Sequence, residues 1–168
     1  MNKIGLLGGS FDPVHKAHIE IAQDAMTKLG LDEVHFILTK EAPHKTTVLS
    51  PEKRFELLSI ALQDQAGLIP SRIELDRAGV SYSYLTVEDY KKQFPDTELF
   101  WILGEDAFAG LEQWQNYDYL AKNLEFMVFP RIAISSSEIR TKISNKEAVD
   151  ALLPEAIRQL AAEYYSKA

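Results

Sequence analysis

Short apolar runs alternate along the chain with longer stretches in which apolar residues recur every three or four positions. Ile4-Gly5-Leu6-Leu7 is the first run and stops at Gly8-Gly9. Val34–Leu38, Leu99–Leu103 and Glu125–Phe129 repeat the pattern. Runs of this length that stay apolar on consecutive positions predict strands buried on both faces. Ser71–Leu75 is a weaker candidate for a further strand. Between the runs, His18–Leu29 places Ile19, Ala22, Met26 and Leu29 on one helical face and ends at Gly30, a C-terminal stop. Pro51–Leu62 predicts a helix with Pro51 in its first turn after Ser50, and Leu85–Phe94 one that halts before Pro95. Phe108–Leu120 reads as one or two short helices, and helices near Glu138–Ile143 and Pro154–Tyr165 close the chain.

This order predicts an α/β fold, a Rossmann-like doubly wound parallel sheet with helices on both faces. With 168 residues and no repeat, low-complexity tract or linker, a single domain over residues 1–168 is expected. Open parallel sheets bind ligands beyond the carboxyl ends of their strands. Function is therefore expected in Gly8–His18, Thr39–Lys45, Gly104–Asp106 and Arg131–Arg140.

Composition narrows the partners. The net charge of −7 shows no basic stripe for nucleic acid. No apolar run approaches a membrane span, and the first residues lack a secretory signal's long apolar core. The chain has no cysteine, which excludes disulfides and thiolate metal sites. A cytoplasmic protein with no membrane or nucleic-acid partner is expected. The pattern leaves homo-oligomer formation open. An acidic protein that binds a small anion must gather its few cations and helix N-termini locally.

Gly8-Gly9-Ser10-Phe11-Asp12-Pro13 leads into His15-Lys16-Ala17-His18. No third glycine opens the helix, so this is not the dinucleotide fingerprint. Two histidines three apart share one helical face, where their rings and the helix amides suit phosphate oxygens. As a zinc site the pair lacks a third ligand. Further on, Ser135 and Glu138 have capping-box spacing, which predicts a helix start. Arg140 stands one turn into that helix, and a serine-rich turn followed by arginine suits a triphosphate.

Together these segments resemble the nucleotidyltransferase superfamily with the (T/H)xGH-type motif, with Ala17 where the family usually has glycine. Ala42-Pro43-His44-Lys45, Ser81–Val87 and Gly104-Glu105-Asp106 with Trp114 resemble the corresponding segments of bacterial nicotinate-nucleotide adenylyltransferases. Leu85 stands where those enzymes usually have aspartate. The stretch between Arg131 and Ile134 is shorter than is usual there.

The resemblance implies transfer of an adenylyl group from ATP, carried with Mg2+, to nicotinate mononucleotide, with no metal ligand from the protein. It assigns catalysis to His15, His18, Lys45 and Arg140. Gly8, Gly9, Ser10, Phe11, Gly104, Asp106, Ser135 and Ser136 join His15, His18 and Arg140 around ATP. His44, Lys45, Thr86, Trp114 and Arg131 would hold the acceptor, Thr86 at the nicotinate carboxylate and Trp114 stacked on the pyridine ring. Nicotinamide mononucleotide and phosphopantetheine are alternative acceptors. A nucleotide-binding module without turnover is the alternative of another class.

Overall fold

The computed structural model describes residues 2–40, 46–79, 81–130 and 132–168. Five strands form one parallel sheet: β1 (Asn2–Gly9), β2 (Glu33–Leu38), β3 (Leu68–Ser71), β4 (Thr97–Gly104) and β5 (Glu125–Phe129), in the order β3-β2-β1-β4-β5. The helices are α1 (Lys16–Leu29), α2 (Pro51–Leu62), α3 (Ser83–Gln93), α4 (Glu105–Ala109), α5 (Tyr117–Asn123), α6 (Ser136–Ser144) and α7 (Arg158–Ser166), with single 3-10 turns at Leu111–Gln113 and Glu155–Ile157. The α/β doubly wound reading holds. No helix among the described residues is long and apolar enough to cross a membrane.

Alternation along the strands divides the core in two. Leu7, Val34, Phe36, Leu38, Phe100 and Ile102 point to one face, where they meet α1, α2, α6 and α7. Ile4, Leu6, Ile37, Leu99, Trp101 and Leu103 point to the other, under Val87 and Tyr90 of α3 and Leu120 of α5. Both faces are covered, so the strands read as continuous apolar runs. Helix α1 ends as its sequence predicts, with Gly30 left-handed at φ 65 and its N–H bonded to the Met26 carbonyl.

Several boundaries differ from expectation, three of them with a clear physical cause. The third strand is Leu68–Ser71, not Ser71–Leu75. It lies at the sheet edge and pairs only with β2, so Pro70 removes no ladder bond. Residues 72–76 turn instead, the Asp76 N–H meeting the Arg72 carbonyl at 2.9 Å. Helix α1 begins at Lys16 rather than His18, which makes His15 its N-cap. After β4 the chain turns helical at Glu105, earlier than Phe108, because Gly104 is an extended N-cap and Glu105 and Asp106 suit the positive end of α4.

The strand order reverses between β1 and β4. Connections leave those two strands toward opposite edges, which opens a crevice above their carboxyl ends. The segments Gly8–His18 and Gly104–Asp106 both begin there.

Candidate active site

The loop after β1 is held from several sides. Thr39 N–H donates to the Gly9 carbonyl at 2.8 Å, tying the ends of β1 and β2 together. A side chain on Gly9 would meet the Phe11 ring at 3.1 Å. Phe11 is itself left-handed at φ 46, a conformation that costs a non-glycine residue of order 1 kcal/mol. Its buried ring offsets that cost by packing on Phe36, with centroids 5.5 Å apart, and edge-on to His18 at 5.0 Å.

His15 and His18 stack, with ring centroids 3.7 Å apart and planes 24° apart. The His15 N–H donates to His18 Nδ1 at 3.1 Å. That bond places the neutral ring's proton on Nε2, leaving His18 as an N–H donor away from the backbone. His15 is 1% exposed, and its Nδ1 has no partner among the described residues. The Lys16 N–H is already taken by the Leu152 carbonyl at 3.0 Å. The donors left at this helix end are the two rings and the remaining first-turn amides.

Burial lowers the His15 pKa to about 4. Burial, and then the adjacent His15, push His18 well below the ordinary histidine value. Both rings are thus neutral at pH 7. A depressed folded-state pKa means that the unfolded chain binds protons first as pH falls. The stability is complete above the unfolded pKa near 6.5 and is lost on the way down toward 4. Between pH 7.5 and 5, His15 alone is expected to cost about 2 kcal/mol. Urea unfolding at the two pH values should show that loss in the parent chain and a smaller one in His15→Gln.

The second motif closes on the first. Ser135 caps α6 by accepting the Glu138 N–H at 3.1 Å, as its spacing predicts. Ser136 Oγ donates to the Pro13 carbonyl at 2.8 Å, and Arg140 Nη1 to the Asp12 carbonyl at 2.9 Å. Segments more than 120 residues apart in sequence therefore share one hydrogen-bonded unit around His15 and His18.

On the other face, Trp114 is half-buried and stands edge-on to Trp101, with centroids 6.1 Å apart at 84°. The Trp101 ring lies 3.1 Å from where a Gly8 side chain would begin, which sets Trp114 near the same strand ends. Thr86 is fully buried. Its hydroxyl donates to Glu74 Oε2 at 2.8 Å and accepts from Arg77 Nη1 at 3.2 Å. Arg77 also pairs with Asp89. Burial raises the Glu74 pKa, and the bond from Thr86 opposes that shift. Gly104 and Asp106 lie at the end of β4 and in the first turn of α4. His44, Lys45 and Arg131 lie outside the described residues.

Sequence reasoning missed two side chains that organise this end of the sheet. Asp12 is buried and accepts from Val48 N–H at 2.7 Å, Leu49 N–H at 3.3 Å and Tyr165 Oη at 2.6 Å. Arg54 is fully buried and, among the described residues, its hydrogen bonds go to backbone carbonyls. A signal for it existed, since Arg54 sits on the same helical stripe as Leu57, Leu58 and Ala61 of α2.

A model of the cytidylyltransferase-like family matches residues 6–144. A probable nicotinate-nucleotide adenylyltransferase of Exiguobacterium sibiricum is 34% identical over 183 aligned positions, covering 96% of this chain and 97% of that protein. Its counterpart in Listeria innocua is 35% identical, covering 93% and 92%. The alignment with the first relative has 183 positions against 168 residues here, so that relative carries residues this chain lacks. Among solved structures, a putative nicotinate-nucleotide adenylyltransferase from Vibrio parahaemolyticus superposes with a TM-score of 0.83 at 18% identity, covering 96% of this chain and 99% of that one. The Plasmodium falciparum nicotinic acid mononucleotide adenylyltransferase complexed with NaAD gives 0.76 at 16% identity, covering 99% and 96%. At those identities the superpositions speak for the fold.

Proposed function

The chain belongs to the cytidylyltransferase-like family and, within it, to the nicotinate-nucleotide adenylyltransferases, nucleotidyltransferases of NAD biosynthesis, and from that membership we propose the site's mechanism and acceptor. The acceptor is nicotinate mononucleotide. Its phosphate oxygen attacks the α-phosphorus of ATP, the bond from that phosphorus to the bridging oxygen of the β-phosphate breaks, and pyrophosphate leaves with the electron pair. The products are deamido-NAD and pyrophosphate.

The observation that carries this reading is the stacked pair of neutral imidazoles, His15 and His18, at the N-terminus of α1 above the strand-order reversal. A phosphate nucleophile is already ionised at neutral pH, so the reaction needs no protein base. It needs the two substrates aligned and the charge on the transferring group met by fixed donors. In this reading the His18 Nε2–H and the His15 ring donate to phosphate oxygens. Backbone groups of Gly8, Gly9 and Ser10 allow close approach, and Ser135, Ser136 and Arg140 serve the triphosphate. Gly104 and Asp106 face the adenosine. Lys45 supplies mobile charge, and His44, Trp114, Arg131 and the Thr86 turn hold the acceptor. Because Oγ of Thr86 is engaged by Glu74 and Arg77, its role toward a carboxylate passes through the placement of the α3 N-terminus.

Among the described residues no group of three or more His, Asp or Glu side chains is gathered as a metal cage. In this reading magnesium would come with ATP as its companion and would supply charge neutralisation. The test is pyrophosphate release from ATP and magnesium with nicotinate mononucleotide, nicotinamide mononucleotide and phosphopantetheine offered separately. Strongly preferred release with the first supports the reading. Preference for another acceptor would keep the chemistry and overturn the substrate, and ATP binding without release would overturn the reaction.

A further inference from the structure

Among the described residues Arg54 is the largest fully buried side chain, at 0% exposure, and none of its hydrogen bonds goes to a carboxylate. Its donors instead meet four backbone carbonyls. Nε reaches Leu49 at 3.1 Å, Nη1 reaches Ser10 at 2.7 Å and Thr39 at 2.8 Å, and Nη2 reaches Lys40 at 2.9 Å. These carbonyls belong to three separate segments: the loop after β1, the chain leaving β2, and the residue before the N-cap of α2. Leu49 is held a second time, through its N–H on Asp12.

Burying a guanidinium is costly, and a helix stripe shared with Leu57 and Leu58 would pack an apolar residue more cheaply. A planar fork with five donors in fixed directions is the one side chain that can join several carbonyls in a set geometry. The segments it joins lie beyond the carboxyl ends of β1 and β2, on the β1 side of the crevice. Ser10 leads into the histidine pair, and the chain between Lys40 and Leu49 carries His44 and Lys45.

We infer that Arg54 is a positioning residue for adenylyl transfer, fixing the loop after β1 against both ends of the 40–49 segment so that the two substrates are held in line. The inference rests on the function proposed above. Arg54 touches neither substrate. Its effect is on the relative placement of the two half-sites, which governs turnover more than the binding of either substrate alone.

The experiment compares the parent chain, R54K and R54A for folding by circular dichroism, for ATP affinity without acceptor, and for kcat with nicotinate mononucleotide. R54A is also assayed with added guanidinium ion, and R158K serves as a control, since Arg158 bonds the Leu153 carbonyl outside this cluster. Lysine keeps the charge and loses the fork. The expected result for R54K is a kcat about tenfold or more lower, with ATP affinity within about threefold of the parent, partial recovery of R54A by guanidinium, and unchanged kcat in R158K. A folded R54K with kcat within about twofold of the parent overturns the inference, as does a parallel loss of kcat, ATP affinity and thermal stability. Should R54K not fold, guanidinium rescue of R54A decides, and absence of rescue in folded R54A overturns the inference. An inert parent chain overturns the proposed function itself.

Discussion

His18→Ala is expected to lower the rate of adenylyl transfer by about two orders of magnitude or more, the scale of losing one preorganised donor to a developing oxyanion. The geometry makes the loss specific. The His15 N–H fixes the His18 tautomer through Nδ1, Phe11 holds the ring edge-on, and His15 stacks against its face. A donor held so firmly would reorganise little during reaction, so its removal is expected to fall on kcat rather than on folding. Single-turnover rates and ATP affinity of a folded His18→Ala protein separate the two. Near-parent turnover would remove His18 from the mechanism.

The second large effect is on stability. Asp12→Ala is expected to cost about 3 kcal/mol or more, because it strips the acceptor from the buried Leu49 N–H and Tyr165 Oη and from the part-buried Val48 N–H. It also removes the carboxylate that stands 3.9 Å from Arg140 Nη1. For a chain of this size that is a drop in Tm of roughly 6–12 °C. Tyr165→Phe, which removes only one of the donors, should cost about 1 kcal/mol. Urea or thermal unfolding of the two variants checks the ranking. Equal effects would show that Asp12 acts only through Tyr165.

Much of the architecture was legible because the strands are short and buried on both faces. Val34–Leu38 and Leu99–Leu103 read as strands from consecutive apolar positions, and both are central in the sheet. The third strand was misplaced because an edge strand needs only one apolar anchor. Leu68 supplies it, while Ile73 and Leu75 drew attention to the turn that follows. The histidine pair and the Ser135–Arg140 segment are legible as local motifs, and the fold joins the second to the loop before the first through the Pro13 and Asp12 carbonyls.

The rest depends on distance in sequence. Nothing near Asp12 announces Tyr165, 153 residues away, and a hydrogen bond between them leaves no periodicity to read. Thr86 shows the same limit differently. The resemblance puts Thr86 at the acceptor's carboxylate, but no local pattern announces that its hydroxyl bonds Glu74 and Arg77, which come from a stretch that carries no motif. Arg54 was readable in principle as a charge on an apolar stripe, but its carbonyl partners come from three loops that only the folded chain brings together.

The most direct test of the central claim follows the α-phosphorus. ATP labelled at that atom, incubated with magnesium, nicotinate mononucleotide and the parent chain, should pass its label into a dinucleotide that comigrates with deamido-NAD, with one pyrophosphate released per dinucleotide formed. Label that stays in ATP, or that appears as free AMP without dinucleotide, would contradict adenylyl transfer to this acceptor.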